Sequence, residues 1–426
     1  MTGARAADPT DAEYVALLGA PVQYTQAHPD GVTHLRPDDL VAHGHRFGAR
    51  PSTTGGAGAE LIEALDAIRL SGRGGSHFPA AAKWRAVRAA GSGVVVANGA
   101  EGAPLSRKDA ALLQLRPHLV LDGLALATEA LGAHDGVIWL HDGATASQAA
   151  VSRALRQRRA AGVVEPQMRV ALAPDRYLSG ESSTAVNALS GGPSLPMFRR
   201  ESATVSGVNG HPTLVQNVET LARAAIAARD ADIAIGSTLV TVAVAHHKIV
   251  LEVPETATIR DTVDSVLGPV SLQAVLIGGY GGSWATWSDV ADVALNETAL
   301  RATGVSLGAG VLMPLRAGTC GIRRTAEIAA YMADSSARQC GPCLFGLRAI
   351  ADLLLDLADC RGKRRDPARL ERFLAEVDGR GACRHPDGVV RMVASGLRTF
   401  ADDVTAHFGR GCLHDRSGWG GPGTSP

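Results

Sequence analysis

Residues Gly72–Trp84 read G-R-G-G-S-H-F-P-A-A-A-K-W. Gly72, Gly74 and Gly75 let the backbone take positive φ and approach a ligand closely, and Pro79 sits where a first helical residue would. The stretch predicts an anion cradle whose amides face a phosphate at a helix N-terminus. Arg73 and Lys83 add charge there, and Phe78 a flat apolar face. A glycine-rich turn before a helix also occurs as a plain tight connection, so companions are needed before it implies a cofactor.

Those companions follow in order. Upstream, Leu61, Ile62, Leu65 and Ile68 recur at helical spacing over Glu60–Leu70. Downstream come a helix over Pro79–Ala90 and the continuously apolar strand Val94–Ala97, the kind buried on both faces of a parallel sheet. That strand runs into N-G-A-E-G-A-P at Asn98–Pro104, which puts Asn98 and Glu101 outside a strand's carboxyl end, where open α/β sheets collect ligands. An ordinary Asn/Gly turn has the same spacing. Helix Pro117–Leu131, strand Gly136–Leu140, helix Ala144–Ala160 and strand Met168–Leu172 continue the alternation and predict a doubly wound sheet. Tyr177–Thr184 then places Gly180 in a turn and Glu181 at a helix start. In Gly207–Thr220, Pro212 and Asn217 bracket the start of a helix predicted over Val215–Ala228. Four such junctions in one unit point to a single cofactor crevice.

The next unit differs. Two β-branched runs, Leu239–Val244 and Ile249–Val253, precede a helix over Thr258–Leu267 and the strand Ala274–Ile277, an order that fits a small ubiquitin-like sheet. No catalytic cluster is evident in it: Gly278–Gly282 reads as a turn, and His246-His247 as a hairpin tip. From Arg324 the pattern is helical over Thr325–Asp334, Pro342–Ala358, Pro367–Val377 and Val389–Phe408, which predicts a four-helix bundle. Cys340-Gly341-Pro342-Cys343 opens the second of these helices, and Cys383 precedes the fourth. Cys-x-x-Cys sets two thiolates on one turn, suited to an iron-sulfur cluster or zinc; a redox dithiol and buried unliganded thiols are the competing readings. The domain boundaries expected are 1–58 (extension and linker), 59–235, 236–310 and 318–426.

With 42 Lys+Arg against 42 Asp+Glu in 426 residues, general nucleic-acid binding is not expected. No apolar run is long enough to span a bilayer, and Met1–Tyr14 carries acids where a signal peptide has a hydrophobic core, so a cytoplasmic location is expected.

These stretches, with Q-C-G-P-C at Gln339–Cys343, carry a family likeness from about Leu61 to Phe408. The chain resembles the NADH- and FMN-binding subunit of respiratory NADH dehydrogenase (complex I) and its relatives in NAD-linked hydrogenases and formate dehydrogenases. The resemblance implies an α/β Rossmann-like FMN domain, a ubiquitin-like β-grasp (SLBB-type) domain and a C-terminal four-helix iron-sulfur bundle. It implies that Gly72, Arg73, Gly74, Gly75 and Lys83 lie along FMN and its phosphate, and that Asn98 hydrogen-bonds the flavin, with Glu101 in the same loop. Gly180 and Glu181 would sit against the isoalloxazine beside the nicotinamide, which makes Glu181 the catalytic candidate. Gln216 and Asn217 would complete the FMN pocket, and Phe78 would pack on the adenine of NADH. NADH would give a hydride to the flavin, and electrons would pass singly to a cluster, 4Fe-4S in the family. A soluble iron-sulfur or ferredoxin-like partner would receive them, with the chain peripheral in a larger complex.

The departures are specific. Ala100 and Ala103 replace two of the three acids in the family's Asn-x-Asp-Glu-Gly-Glu-Pro, Ser182 replaces the second of a Glu-Glu pair, and Ser202 stands where a second aromatic would stack. Arg199 or Arg200 is the basic residue expected near the NADH phosphates. An electron-relay module that has lost NADH oxidation is the alternative these changes suggest. Ser336–Cys343 has lost the first thiolate of the family's Ser-Cys-Gly-x-Cys-x-x-Cys, leaving Cys340, Cys343 and Cys383. Cys412 is the expected fourth ligand, with Cys320 next, while Cys360 reads as a packing thiol. His77 is expected at the cofactor edge or exposed, and His385 in a solvated loop.

Overall fold

The computed structural model describes residues 16–414 except 29, 30, 32, 34, 92, 199, 200, 364 and 410. The basic residue expected at Arg199 or Arg200 lies outside the described residues. The strands are β1 (Val22–Tyr24), β2 (Val94–Asn98), β3 (Asp135–His141), β4 (Met168–Ala173), β5 (Thr213–Asn217), β6 (Ser237–Val244), β7 (His247–Pro254), β8 (Leu272–Ile277), β9 (Ser283–Thr286) and β10 (Val311–Arg316). They form two sheets, followed by a helical region. Among the described residues no helix is long and apolar enough to cross a membrane.

The first sheet has the order β4-β3-β2-β5 and is parallel throughout. Val94 and Val96 pack on one face with Ala185 and Val186 of helix Ser182–Leu189. Val95 and Ala97 pack on the other with helices Pro117–Ala130 and Val218–Ala227. Burial on both faces is why the strand shows no polar alternation. The helix predicted from Val215 is a correction: Thr213–Asn217 is strand β5, and the helix begins only at Val218. Leu214 and Val215 are needed as sheet residues, in register with Val95 and Val96 of β2.

Helices Pro117–Ala130 and Val218–Ala227 cross at Gly123, where a built Cβ would overlap the Leu221 carbonyl. A methyl there forces two helix backbones apart. Gly123→Ala is expected to destabilise the protein by about 1–3 kcal/mol, as overpacking does, read as a lower unfolding temperature with unchanged flavin and iron content.

The second sheet has the order β1-β7-β6-β10-β8-β9. Its strand pairs are antiparallel except β6 with β10. Helix Ile259–Leu267, started by a Thr258/Asp261 capping box, covers it. Two expectations are corrected here. The N-terminal extension is not mere linker, because it adds edge strand β1 and helix Leu40–Phe47. A boundary at 310 would cut off β10, the strand that joins the β6 hairpin to β8.

Five helices make up the last region: Gly321–Asp334, Leu347–Ala358, Asp366–Val377, His385–Thr399 and Ala401–Gly409. The long fourth helix expected over Val389–Phe408 is broken at Phe400. That ring is buried against Trp284, with centroids 5.1 Å apart, which holds the break to the second sheet. The first two helices run antiparallel, since Arg323 Nη2 at the start of one donates to the Ala358 carbonyl at the end of the other. A single wide turn, Pro342–Gly346, carries Cys343 into the second helix.

Candidate functional site

The parallel register sets Asn98 and Asn217 side by side at the carboxyl ends of β2 and β5. Asn98 Nδ2 donates to the Gly180 carbonyl at 2.8 Å, and Trp139 Nε1 on β3 donates to the Ser179 carbonyl at 2.9 Å. Two strand ends therefore fix the Tyr177–Glu181 turn over the sheet. Glu181 caps the helix that follows, its carboxylate accepting from the amides of Ser183 at 2.7 Å and Thr184 at 3.0 Å.

The glycine loop arrives from the other side. Gly72 N donates to the Phe78 carbonyl and Ala80 N to the Leu70 carbonyl, both at 2.9 Å, so the loop closes on itself before its helix starts at Ala80. At its tip Gly75 has φ +107°, and the amides of Gly74, Gly75 and Ser76 make no well-formed hydrogen bond to any described residue. These free-facing amides lie at the loop tip and not at the start of the helix at Ala80.

A cavity of about 960 Å³ lies between these parts. It brings together Arg73, Gly74, Gly75, Asn98, Glu101, Gly180, Glu181 and Asn217. Of the other residues the sequence singled out, Gly72, Phe78, Lys83 and Gln216 do not line it. Phe78 is 54% exposed. Gln216 is buried beneath the loop. Lys83 turns its ammonium to the Val215 carbonyl.

The charges behind the cavity form a buried network. Lys108 Nζ contacts Asp109 Oδ1 at 2.7 Å and Glu219 Oε2 at 3.1 Å. Glu219 Oε1 accepts from Arg223, and Asn217 Nδ2 donates to Asp109 Oδ2 at 2.7 Å. Burial works against the Lys108 ammonium, but Asp109, Glu219 and Glu101 outweigh it and hold its pKa above the ordinary lysine value. Burial pushes the Asp109 carboxyl up to about 7, with Lys108 pulling the other way. Glu101 does not face the cavity as a free acid, because it accepts from the amides of Asp109 and Ala110, both at 3.2 Å, at a helix start. Arg73 ties the first unit to the second sheet through Glu255 at 2.7 Å. His77 is buried beside Glu297, 3.4 Å away, and not at an exposed edge.

Lys83 gives a test in pH. Burial lowers its pKa from 10.5 to about 8. The folded chain then binds fewer protons than the unfolded one between those values, so stability rises with pH across that window. Lys83→Met is expected to flatten this rise in urea unfolding of flavin-free protein between pH 8 and pH 10.5.

Several lining residues come from elements that the sequence does not connect to the crevice. Gly278, Tyr280 and Gly281 come from the second sheet, Ser306, Gly308 and Ala309 from the loop before β10, and Arg384, His385, Asp387 and Arg391 from the helical region. The Gly278–Gly282 run, a bare turn by sequence, is the one available signal. His385 is buried, with Nε2 donating to the Met332 carbonyl at 2.9 Å, so it is no solvated loop histidine.

The thiols divide into two groups. Cys340, Cys343 and Cys383 face one another: burial, then Cys340 and Cys383, push the Cys343 thiol up to about 12. Burial also raises Cys383, with Glu181 and Cys340 adding to the shift. Cys383 directly precedes cavity-lining Arg384 and His385 and lies near Glu181, so it is the thiol of the three that lies next to the crevice. Metal binding at such thiols releases their protons. Cys412 does not join them. It lies with Cys320 and His407 at the far end of helix Gly321–Asp334, whose 14 residues span about 21 Å at 1.5 Å per residue. Cys360 is at that end as well, just past helix Leu347–Ala358, so the structure does not bring Cys412, the expected fourth ligand, to Cys340, Cys343 and Cys383.

Residues 65–226 match the family model described as the Nuo51 FMN-binding domain, and residues 323–407 the one described as the NADH-ubiquinone oxidoreductase-F iron-sulfur binding region. An NADH-quinone oxidoreductase subunit of Streptomyces coelicolor is 26% identical over 381 residues, covering 84% of this chain and 85% of the relative. The NADP-reducing hydrogenase subunit HndC of Solidesulfovibrio fructosivorans is 24% identical over 374 residues, covering 82% and 76%. Among solved structures, the NAD+-reducing [NiFe]-hydrogenase in the H2-reduced state superposes with a TM-score of 0.74 at 24% identity. That match covers 82% of this chain but only 62% of the hydrogenase chain, and it speaks to the fold.

Proposed function

We propose that the chain is a divergent member of the family of NADH- and FMN-binding subunits of respiratory NADH dehydrogenase and related hydrogenases, acting as a flavin and iron-sulfur oxidoreductase subunit. It takes hydride from NADH and hands electrons to a partner carrier. The observation that carries this is the convergence of the glycine-loop tip, Asn98, Gly180, Glu181 and Asn217 on one cavity, with Cys383 of the thiol group beside Glu181.

The residues suit FMN. The amides of Gly74–Ser76, which make no well-formed hydrogen bond to any described residue, match a phosphate, and Arg73, Lys108, Arg301, Arg384 and Arg391 line the same cavity. The buried Tyr280 hydroxyl at the wall has no partner among the described residues. Asn98 and Asn217 fix the floor, and the capped Glu181 holds a carboxylate at the rim between the crevice and Cys383. Tyr177 and Leu178 exclude water from above. FMN, when bound, supplies hydride acceptance and release of single electrons, which no side chain here offers. Three thiolates leave one iron position to a ligand that is not cysteine.

We read the second sheet, a hairpin, a helix, two strands and a last strand inserted parallel beside the first, as a ubiquitin-like β-grasp running from about 236 to 316. The last region we read as an iron-sulfur bundle. The acceptor is a soluble iron-sulfur or ferredoxin-like carrier, reached from the helical side, in a cytoplasmic or peripheral assembly. Anaerobically reconstituted protein is expected to show a flavin spectrum that bleaches when NADH is added. Flavin that stays oxidised in excess NADH would overturn the NADH step and leave an electron relay.

A further inference from the structure

Far from the crevice, three potential ligands meet without any part in the reaction above. Cys320 Sγ lies 3.4 Å from His407 Nε2, and the ligand atoms of Cys320, His407 and Cys412 all fall within 4.8 Å of one another. This is the one such trio of His, Cys, Asp or Glu side chains among the described residues. Cys320 and His407 are buried, and Cys412 is partly so.

The surroundings prepare each group. His407 Nδ1 is 2.9 Å from the Leu357 carbonyl, which can only accept, so Nδ1 carries the ring proton and Nε2 presents a lone pair toward the sulfurs. A carbonyl behind a histidine in this way fixes the tautomer of metal-bound imidazoles. Cys320 caps helix Gly321–Asp334, its sulfur accepting from Arg323 N at 3.3 Å, so its position at the helix start is fixed. Asp403, one turn before His407 on the same helix, accepts from Gly321 N at 3.4 Å and from His414 at 2.6 Å.

We propose that Cys320, His407 and Cys412 bind a single tetrahedral zinc ion, separate from the iron site, that staples the chain after the last helix to the start of the first helix of the bundle. Two thiolates and one imidazole suit Zn²⁺ among the divalent ions, and ligand atoms this close surround one ion and not a multi-iron cluster. An oxygen ligand, from Asp403 or solvent, takes the fourth position. The ion ties the Cys320 cap to His407 of the last helix and to Cys412 beyond it, and His407 Nδ1 in turn reaches the Leu357 carbonyl of the second helix.

The test uses the full chain isolated anaerobically from zinc-replete cells, with zinc, iron and flavin measured together and the zinc X-ray absorption edge recorded. Near-stoichiometric zinc is expected, with two sulfurs at about 2.3 Å and lighter ligands at about 2.0–2.1 Å. C412S and H407A should lose zinc while keeping iron and flavin, and C340S should lose iron while keeping zinc. If C412S or H407A does not fold, the wild-type absorption spectrum decides. Zinc absent from wild type, zinc undiminished in both variants, or a Cys320–Cys412 disulfide in the anaerobic protein would each overturn the proposal. None of these readouts depends on NADH oxidation, so this proposal and the flavin reading can fail separately.

Discussion

Replacing Gly180 by alanine is expected to lower NADH-dependent reduction of an artificial acceptor by about 100-fold, the size of effect that a displacement of about 1 Å has at a reacting centre. A Cβ at Gly180 would overlap the carbonyl of Ala100 and crowd Gly102 N. Both are backbone atoms, so no side chain can turn aside, and the Tyr177–Glu181 turn must lift off the end of β2. Lifting it stretches the bond from Asn98 to the Gly180 carbonyl and moves Glu181, whose place at the rim depends on that turn. Flavin content should fall with the rate, whereas iron content should hold, because Cys340, Cys343 and Cys383 belong to the helical region. Wild-type rate and flavin occupancy in Gly180→Ala would show that the turn does not form the flavin site.

Lys108→Met is expected to destabilise the chain by about 3–5 kcal/mol, the cost of removing one partner from a buried charge group. Asp109 and Glu219 share that ammonium; Glu219 keeps Arg223, but Asp109 keeps only Asn217. The pH dependence follows from Asp109, whose carboxyl burial already raises above its unfolded value. Without Lys108 it rises further. The folded variant then binds a proton that the unfolded chain does not, so the variant loses stability as pH increases. Unfolding midpoints of variant and wild type should therefore differ more at pH 8 than at pH 6, and Asp109→Asn added to Lys108→Met should recover part of the loss. An equal difference at both pH values would remove Asp109 as the source.

Of the crevice, the sequence carried the parts written as local backbone. The apolar run Val94–Ala97 is a strand buried on both faces, and Asn98, Glu101, Gly180 and Asn217 fall at strand ends and helix starts as their turn chemistry requires. Gly74 and Gly75 mark the loop tip for the same reason. Cys340 and Cys343 share one turn by spacing alone.

What the sequence could not carry was direction and distance. Lys83 and Gln216 sit among cavity residues along the chain, yet Lys83 reaches from its helix to the Val215 carbonyl and Gln216 lies buried on β5 beneath the loop, because a side chain's face is set by how its element packs. Thr213–Asn217 is a strand only because β2 is there to pair with it. Cys412 was expected beside Cys340, Cys343 and Cys383, but a helix of 14 residues puts Cys320, its actual neighbour, at one end and the Cys340 turn at the other. The sequence by itself determined the parallel sheet, the glycine loop and the thiol pair, since backbone preference and hydrophobic period are local properties. Only the tertiary structure decided which thiols meet and which buried charges neutralise one another, because such contacts depend on where separate elements pack and not on their spacing in the chain.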